Sequence, residues 1–307
     1  MAKARRSPAK TKTSRTRDAA PPVPPLHATP EHPRGSLIII GGNESKAGDR
    51  AILEQLARRA ARRKLVVATF GTEDPEQQWQ QYRKVFQELG VRRLEHLDAR
   101  RREDLLDNPQ LDVIEDAAVI FFGGGDQLKV TSRFGGTLLC DQIRELYRRG
   151  ATIAGTSSGA SVMSETMMVA GPADDSHEGN GSLRMAPGLG FIPGVVIDQH
   201  FAERGRMGRL LGAIAQNPRL LGIGIDEDTA VEFDGHATIR VLGSGAVYIV
   251  DGRGMTYTNA TEESGGTSSM FGMAVHVLSR GDTFDLETRE PRAEADGPGA
   301  SGNANGR

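Results

Sequence analysis

A single cysteine, Cys140, stands among 307 residues, so an internal disulfide framework is excluded. No apolar run reaches the roughly 18 residues that a membrane-spanning helix requires. No apolar segment precedes the first charged residues either, and a cytoplasmic protein with no membrane partner is expected. An excess of one charge is also missing, since 38 Lys and Arg face 40 Asp and Glu. That balance hides an asymmetry. Residues 1–35 hold eight basic side chains and two acids, which leaves 30 basic against 38 acidic residues in the remainder. A body of net charge −8 does not suggest nucleic-acid binding, and no nucleic-acid partner is expected.

The two ends differ from the middle. Seven basic residues within 1–17 are followed by "AAPPVPPLHATPEHPRG", and the chain closes on "EADGPGASGNANGR". Neither stretch can bury enough apolar surface to offset its ordering entropy. The expected organisation is a disordered basic, proline-rich tail over 1–35, one α/β domain over 36–288, and a second disordered tail over 289–307.

Within that domain, apolar runs alternate with helical patterns. "SLIIIGG" (36–42), "KLVVATFG" (64–71), "AAVIFFGGG" (117–125) and "ATIAGTS" (151–157) read as strands buried on both faces. Between them, "AILEQLARRAARR", "DPEQQWQQYRKVFQELG" and "GTLLCDQIRELYRRG" carry helical spacing. The pattern predicts a doubly wound, mostly parallel sheet. Beyond residue 188, short strands and one helix over "ERGRMGRLLGAIAQNP" predict an added β-rich portion.

In such sheets, ligands bind beyond the carboxyl ends of the strands. Three glycine-bearing sequences fall there: "GGNES", "GGGDQ" and "GTSSGA". The first has no Gly-Lys-Ser/Thr ending, and none has G-x-G-x-x-G, so a phosphate cradle is not read. "GTSSGA" matches G-x-S-x-G between a strand and a helix, a turn that exposes the Ser157 hydroxyl and aims the next N–H, that of Ser158, at a developing oxyanion. "GGGD" offers a second donor from Gly125 or Asp126. A nucleophilic serine needs a base, and His200, closing the apolar run "GVVIDQH", is the best-placed histidine. For an orienting acid, "IGIDEDTA" supplies Asp226 and Asp228 on one strand face and Glu227 on the other. Alternation alone does not choose between them. Arg204, Arg206 and Arg209 follow His200 in one helical stretch and would supply forks for carboxylates.

Together, "GGGDQ", "GTSSGA", "DQHF" with its spaced arginines, and "GIDEDTA" resemble the cyanophycinase family. These are serine peptidases related to aspartyl dipeptidase, with the flavodoxin-like fold of class I glutamine amidotransferases. The resemblance implies a Ser157–His200–Glu227 triad, and so selects Glu227 where alternation does not. It implies that Gln127, Asp198, Gln199, Arg204, Arg206 and Arg209 line a substrate pocket. A homodimer that uses no metal and no cofactor is also implied. The substrate would be cyanophycin, a polyaspartate bearing arginine on each β-carboxyl, released as β-Asp-Arg dipeptides through an acyl-enzyme. The free arginine carboxylates suit the three arginines, and Asp198, Glu203 or Asp174 would receive the guanidinium groups. One departure stands out, since Ser158 replaces the family's usual alanine; amidotransferases of the same fold carry cysteine at the elbow, whereas the only cysteine here, Cys140, lies on a helix upstream. An aspartyl dipeptidase of the same fold and a non-catalytic anion-binding module remain the alternatives.

Overall fold

The computed structural model describes residues 35–169, 183–260 and 268–294. The first half alternates strand and helix. β1 (Leu37–Ile40), α1 (Ala51–Ala60), β2 (Lys64–Ala68), α2 (Pro75–Glu88) and β3 (Arg93–Leu97) lead into α3 (Arg102–Asp107) and α4 (Leu111–Ile114). Next come β4 (Ala117–Phe122), α5 (Gln127–Phe134), α6 (Leu138–Arg148), β5 (Thr152–Thr156) and the single turn α7 (Ser158–Ser161). The second half is mostly strand. β6 (Thr166–Val169) and β7 (Arg184–Pro187) pair with each other, and β8 (Val195–Gln199) runs through α8 (Met207–Gln216) to β9 (Leu221–Ile225). β10 (Thr229–Phe233), β11 (Thr238–Gly243) and β12 (Val247–Asp251) follow, then β13 (Tyr257–Thr258), β14 (Met270–Phe271) and β15 (Ala274–Leu278). β16 (Thr283–Asp285) and β17 (Glu290–Arg292) end the described chain.

These strands form two principal sheets. The larger runs β17-β16-β11-β10-β1-β5-β4-β2-β3, and its β1, β5, β4, β2 and β3 are parallel. The smaller runs β15-β12-β9-β8. Burial of β1, β2, β4 and β5 on both faces explains their largely apolar sequences, whereas β3, at the sheet edge, carries charged and partly exposed residues. In β1, Ile38 and Ile40 pack under α1 and α2, whereas Leu37 and Ile39 face the opposite core with α5 and α6. All four are fully buried, each worth about 1.5–3 kcal/mol of apolar transfer. The doubly wound α/β core with an added β-rich portion is therefore present.

The smaller sheet owes its form to the alternating glycines of "LGIGI" in β9. A Cβ at Gly222 would meet Leu210 and Ile214 of α8 at 2.9–3.0 Å, and one at Gly224 would overlap the Phe201 ring. Their absence lets α8 lie close on the strand. β8 and β9 are parallel neighbours, so their carboxyl ends emerge side by side. From β9 the chain crosses Asp226, Glu227 and Asp228 into β10, which pairs with β1 of the larger sheet. That crossing brings the two sheets' carboxyl ends together.

Two boundaries differ from expectation. Arg204, Arg206 and Arg209 do not share one helix. Residues 201–206 form turns, with Gly205 at φ +59° and Phe201 N–H held by Ile225 O, and α8 begins only at Met207. At the other end, β17 pairs with β16 past residue 288, because Asp285 accepts the Glu287 and Thr288 N–H groups and turns the chain back. The remaining parts of the expected tails, 1–34 and 295–307, lie outside the described residues, as does Asp174.

Candidate active site

Ser157 follows β5 at φ +54° and ψ −119°, a strained conformation for a residue with a side chain. The flanking glycines make the turn possible. A Cβ at Gly155 would stand 2.2 Å from Gly159 O, and one at Gly159 would stand 2.3 Å from Phe122 O. His200 closes β8, also at positive φ (+48°), and Glu227 leaves β9. Ser157 Oγ is 2.9 Å from His200 Nε2, and His200 Nδ1 is 2.7 Å from Glu227 Oε1. A hydroxyl, an imidazole and a carboxylate from three distant segments form one hydrogen-bonded chain.

The segment after β1 organises that chain. Three successive carbonyls, those of Ile40, Gly41 and Gly42, accept from Ser157 N–H (3.1 Å), His200 N–H (2.8 Å) and Asp228 N–H (2.9 Å). Gly42 lies flat against the imidazole: a Cβ there would be 2.3 Å from His200 Cε1. Asn43, the next residue, donates from Nδ2 to Glu227 Oε2 at 2.8 Å. This donation is the largest single cause that holds the Glu227 carboxyl below its ordinary range against the opposing effect of burial, with the His200 imidazole acting in the same direction. Testing "GGNES" only as a phosphate loop overlooks Gly41, Gly42 and Asn43, and their position beyond a buried strand was the available signal.

The neighbouring acids have other work. Asp226 is buried and accepts Ala202 N–H (2.9 Å) and Ala246 N–H (3.1 Å). Asp228 accepts Ser45 N–H and the Ser244 hydroxyl, each at 2.7 Å. Only Glu227 of the three bonds to His200. Cys140 is buried on α6, where burial pushes its thiol pKa up.

Around the serine, the Ser158 and Gly125 N–H groups have no acceptor among the described residues. Asp126 differs from expectation. Its N–H is committed to Gly71 O at 2.9 Å and its carboxylate caps α5 by accepting Leu128 N–H at 2.8 Å, so it is not an oxyanion donor. The side chain of Ser158 is buried, with no hydrogen-bond partner for its hydroxyl among the described residues.

The residues expected to line a pocket divide. Arg204 is exposed, with its N–H on His200 O at 3.2 Å. Gln127 donates to Met168 O. Asp198 is 1% exposed and bonds Arg206 Nη1 (3.1 Å) and Arg209 Nε (3.0 Å). It is therefore engaged from within the chain, contrary to its expected part in receiving a substrate guanidinium. Arg206 is itself buried and also donates to Gln199 O at 2.7 Å, so its fork faces the protein. Arg209 retains 23% side-chain exposure. Gln199 is buried, and its Oε1 has no partner among the described residues. Glu203 accepts Glu227 N–H at 3.2 Å.

Residues 37–241 match the model of peptidase family S51. The chain belongs to peptidase family S51. It is 37% identical to a protein named cyanophycinase from Geminocystis herdmanii, over 85% of this chain and 97% of that one. A cyanophycinase from Trichormus variabilis is 38% identical over 85% of this chain and 89% of its own length. Among solved structures, a peptidase from an acI-B1 actinobacterium superposes with a TM-score of 0.62 over 83% of this chain and 98% of that one, at 23% identity, which shows a shared fold. As a member of this family, the chain is a peptidase.

Proposed function

We propose that this peptidase hydrolyses cyanophycin by a serine mechanism and releases β-Asp-Arg dipeptides. The observation that carries the reading is the unbroken chain Ser157–His200–Glu227, at 2.9 and 2.7 Å. His200 Nε2 takes the Ser157 proton as Oγ attacks the scissile carbonyl carbon. Glu227, kept ionised by Asn43, accepts from Nδ1–H and so fixes the tautomer with its lone pair on Nε2. The oxyanion of the tetrahedral intermediate is met by the Ser158 and Gly125 N–H groups. On collapse His200 returns the proton to the leaving amine, and water attacks the acyl-enzyme by the same route. The cyanophycinase names of the relatives support the substrate. So does exposed Arg204, placed at the turn beside His200, whose guanidinium can pair with the free carboxylates of arginine side groups, whereas Arg209 is held by Asp198 through Nε and Nη2.

Incubation of the purified protein with insoluble cyanophycin and, separately, with Asp-X dipeptides tests the reading. Clearing of the polymer with release of β-Asp-Arg, no action on the dipeptides, and loss of clearing in Ser157→Ala are expected. Action on the dipeptides alone would make the protein an aspartyl dipeptidase. Undiminished clearing by Ser157→Ala would end the serine mechanism.

A further inference from the structure

Gln78 projects from α2, and its Nε2 donates to Gly124 O at 3.2 Å. The acceptor belongs to the peptide unit whose N–H is that of Gly125. No cis peptide is present among the described residues, so this carbonyl and this N–H point in opposite directions. Fixing one fixes the other. The amide of Gln78 lies on Gly123, where a Cβ would be 2.2 Å from Oε1. On the far side, a Cβ at Gly125 would stand 2.3 Å from Gly71 O, and Asp126 N–H is bonded to that same oxygen. The peptide is thus gripped from both ends. Gly124 meanwhile runs alongside the nucleophile, since a Cβ there would lie 3.3 Å from Ser157 Cβ and 3.8 Å from Oγ.

We propose that Gln78 is a positioning residue: by holding the Gly124 carbonyl away from the site, it keeps the Gly125 N–H turned toward the oxyanion formed at Ser157. Its Oε1 is buried and has no partner among the described residues. The donor end alone does the holding, and Gln78→Met deletes one hydrogen bond while preserving shape. The inference rests on the serine-hydrolase part of the function proposed above and not on the identity of the substrate.

The test is the rate at which a fluorophosphonate probe labels Ser157 in the full chain, because the phosphoryl oxygen occupies the same donor site and no cyanophycin is needed. Gln78→Met is expected to label about 10²-fold more slowly than the parent, the scale of losing one oxyanion donor, with an unchanged melting temperature. Gln78→Glu supplies a second readout within a single folded variant. Its carboxylate repels Gly124 O, but its protonated form is again a donor. Its rate relative to the parent should therefore rise as pH falls through the carboxyl range. Labelling of Gln78→Met within threefold of the parent, or a flat Gln78→Glu ratio across that range, would overturn the role of Gln78 and leave the serine mechanism standing. A parent that labels no faster than Ser157→Ala would remove the serine mechanism, and this inference with it.

Discussion

Asn43 Nδ2 donates to Glu227 Oε2 at 2.8 Å, the carboxylate oxygen that His200 leaves unused. Both oxygens of Glu227 are therefore engaged, one by the imidazole and one by the amide that most depresses its pKa. Ionised Glu227 favours the folded state above the ordinary glutamate range, and this contribution is lost as pH falls through the depressed folded value. Asn43→Asp keeps the shape, tolerates the residue's φ of +45°, removes the donor and adds a like charge. The Glu227 carboxyl should move up, and the acid-side loss of stability should begin at a higher pH. A backbone control, Asn43→Gly, separates donor loss from charge. Melting temperature against pH for the three proteins checks this, and superimposable profiles would show that Asn43 does not tune Glu227.

Gly42 makes a steric case of its own. A methyl group at this position would stand 2.3–2.9 Å from three ring atoms of His200, and φ of +109° adds backbone strain. Gly42→Ala should push the imidazole off Ser157, and a displacement near 1 Å costs about 10²-fold in turnover. The protein should still fold, at a cost of about 1 kcal/mol or more. Cyanophycin clearing and thermal melts read the two effects separately. Turnover within threefold of the parent would mean that the ring tolerates displacement.

In the proposed mechanism Ser158 acts through its backbone N–H and not through its hydroxyl. Its Oγ is buried and without a partner among the described residues, and an unmet buried hydroxyl costs about 1–3 kcal/mol. Ser158→Ala should raise stability by about 1 kcal/mol while turnover stays within about twofold, since the N–H donor is retained. A lower melting temperature would show that the hydroxyl has found a partner.

The inner parallel strands were legible because burial on both faces leaves an unbroken apolar record, as in β1 and β4. Ser157 was legible because two close backbone approaches demand glycine at 155 and 159. Which carboxylate bonds to His200 was not legible from residues alone. Asp226, Glu227 and Asp228 are consecutive carboxylates past one strand, and what separates them is long-range: Ala246 and Ser45 engage the two aspartates, His200 the glutamate. Gly42 and Asn43 act through tertiary neighbours more than 150 residues on, which no local pattern records. The start of α8 was hidden for a related reason. The turn before it is held by Ile225 O, an acceptor on another strand.

Asp198 and Arg204 contrast sharply: the first is buried between guanidinium groups, and the second is exposed at the turn after His200. Asp198 is 1% exposed and shared by Arg206 and Arg209, and Arg206 is 5% exposed. Neutralising a carboxylate enclosed with its guanidinium partners leaves positive charge in a desolvated place, at a cost of about 3 kcal/mol. Asp198→Asn should therefore lower the melting temperature clearly and reduce activity through displacement of the turn that carries Arg204. Arg204→Ala removes an exposed side chain and should change stability by no more than about 0.5 kcal/mol. It should instead weaken capture of the polymer, read as slower clearing at low cyanophycin loading that recovers at high loading. The two variants thus separate by which quantity moves. If Asp198→Asn melted with the parent yet failed to capture polymer, Asp198 would have to face the substrate, and the ion pairs with Arg206 and Arg209 would have to open when substrate binds.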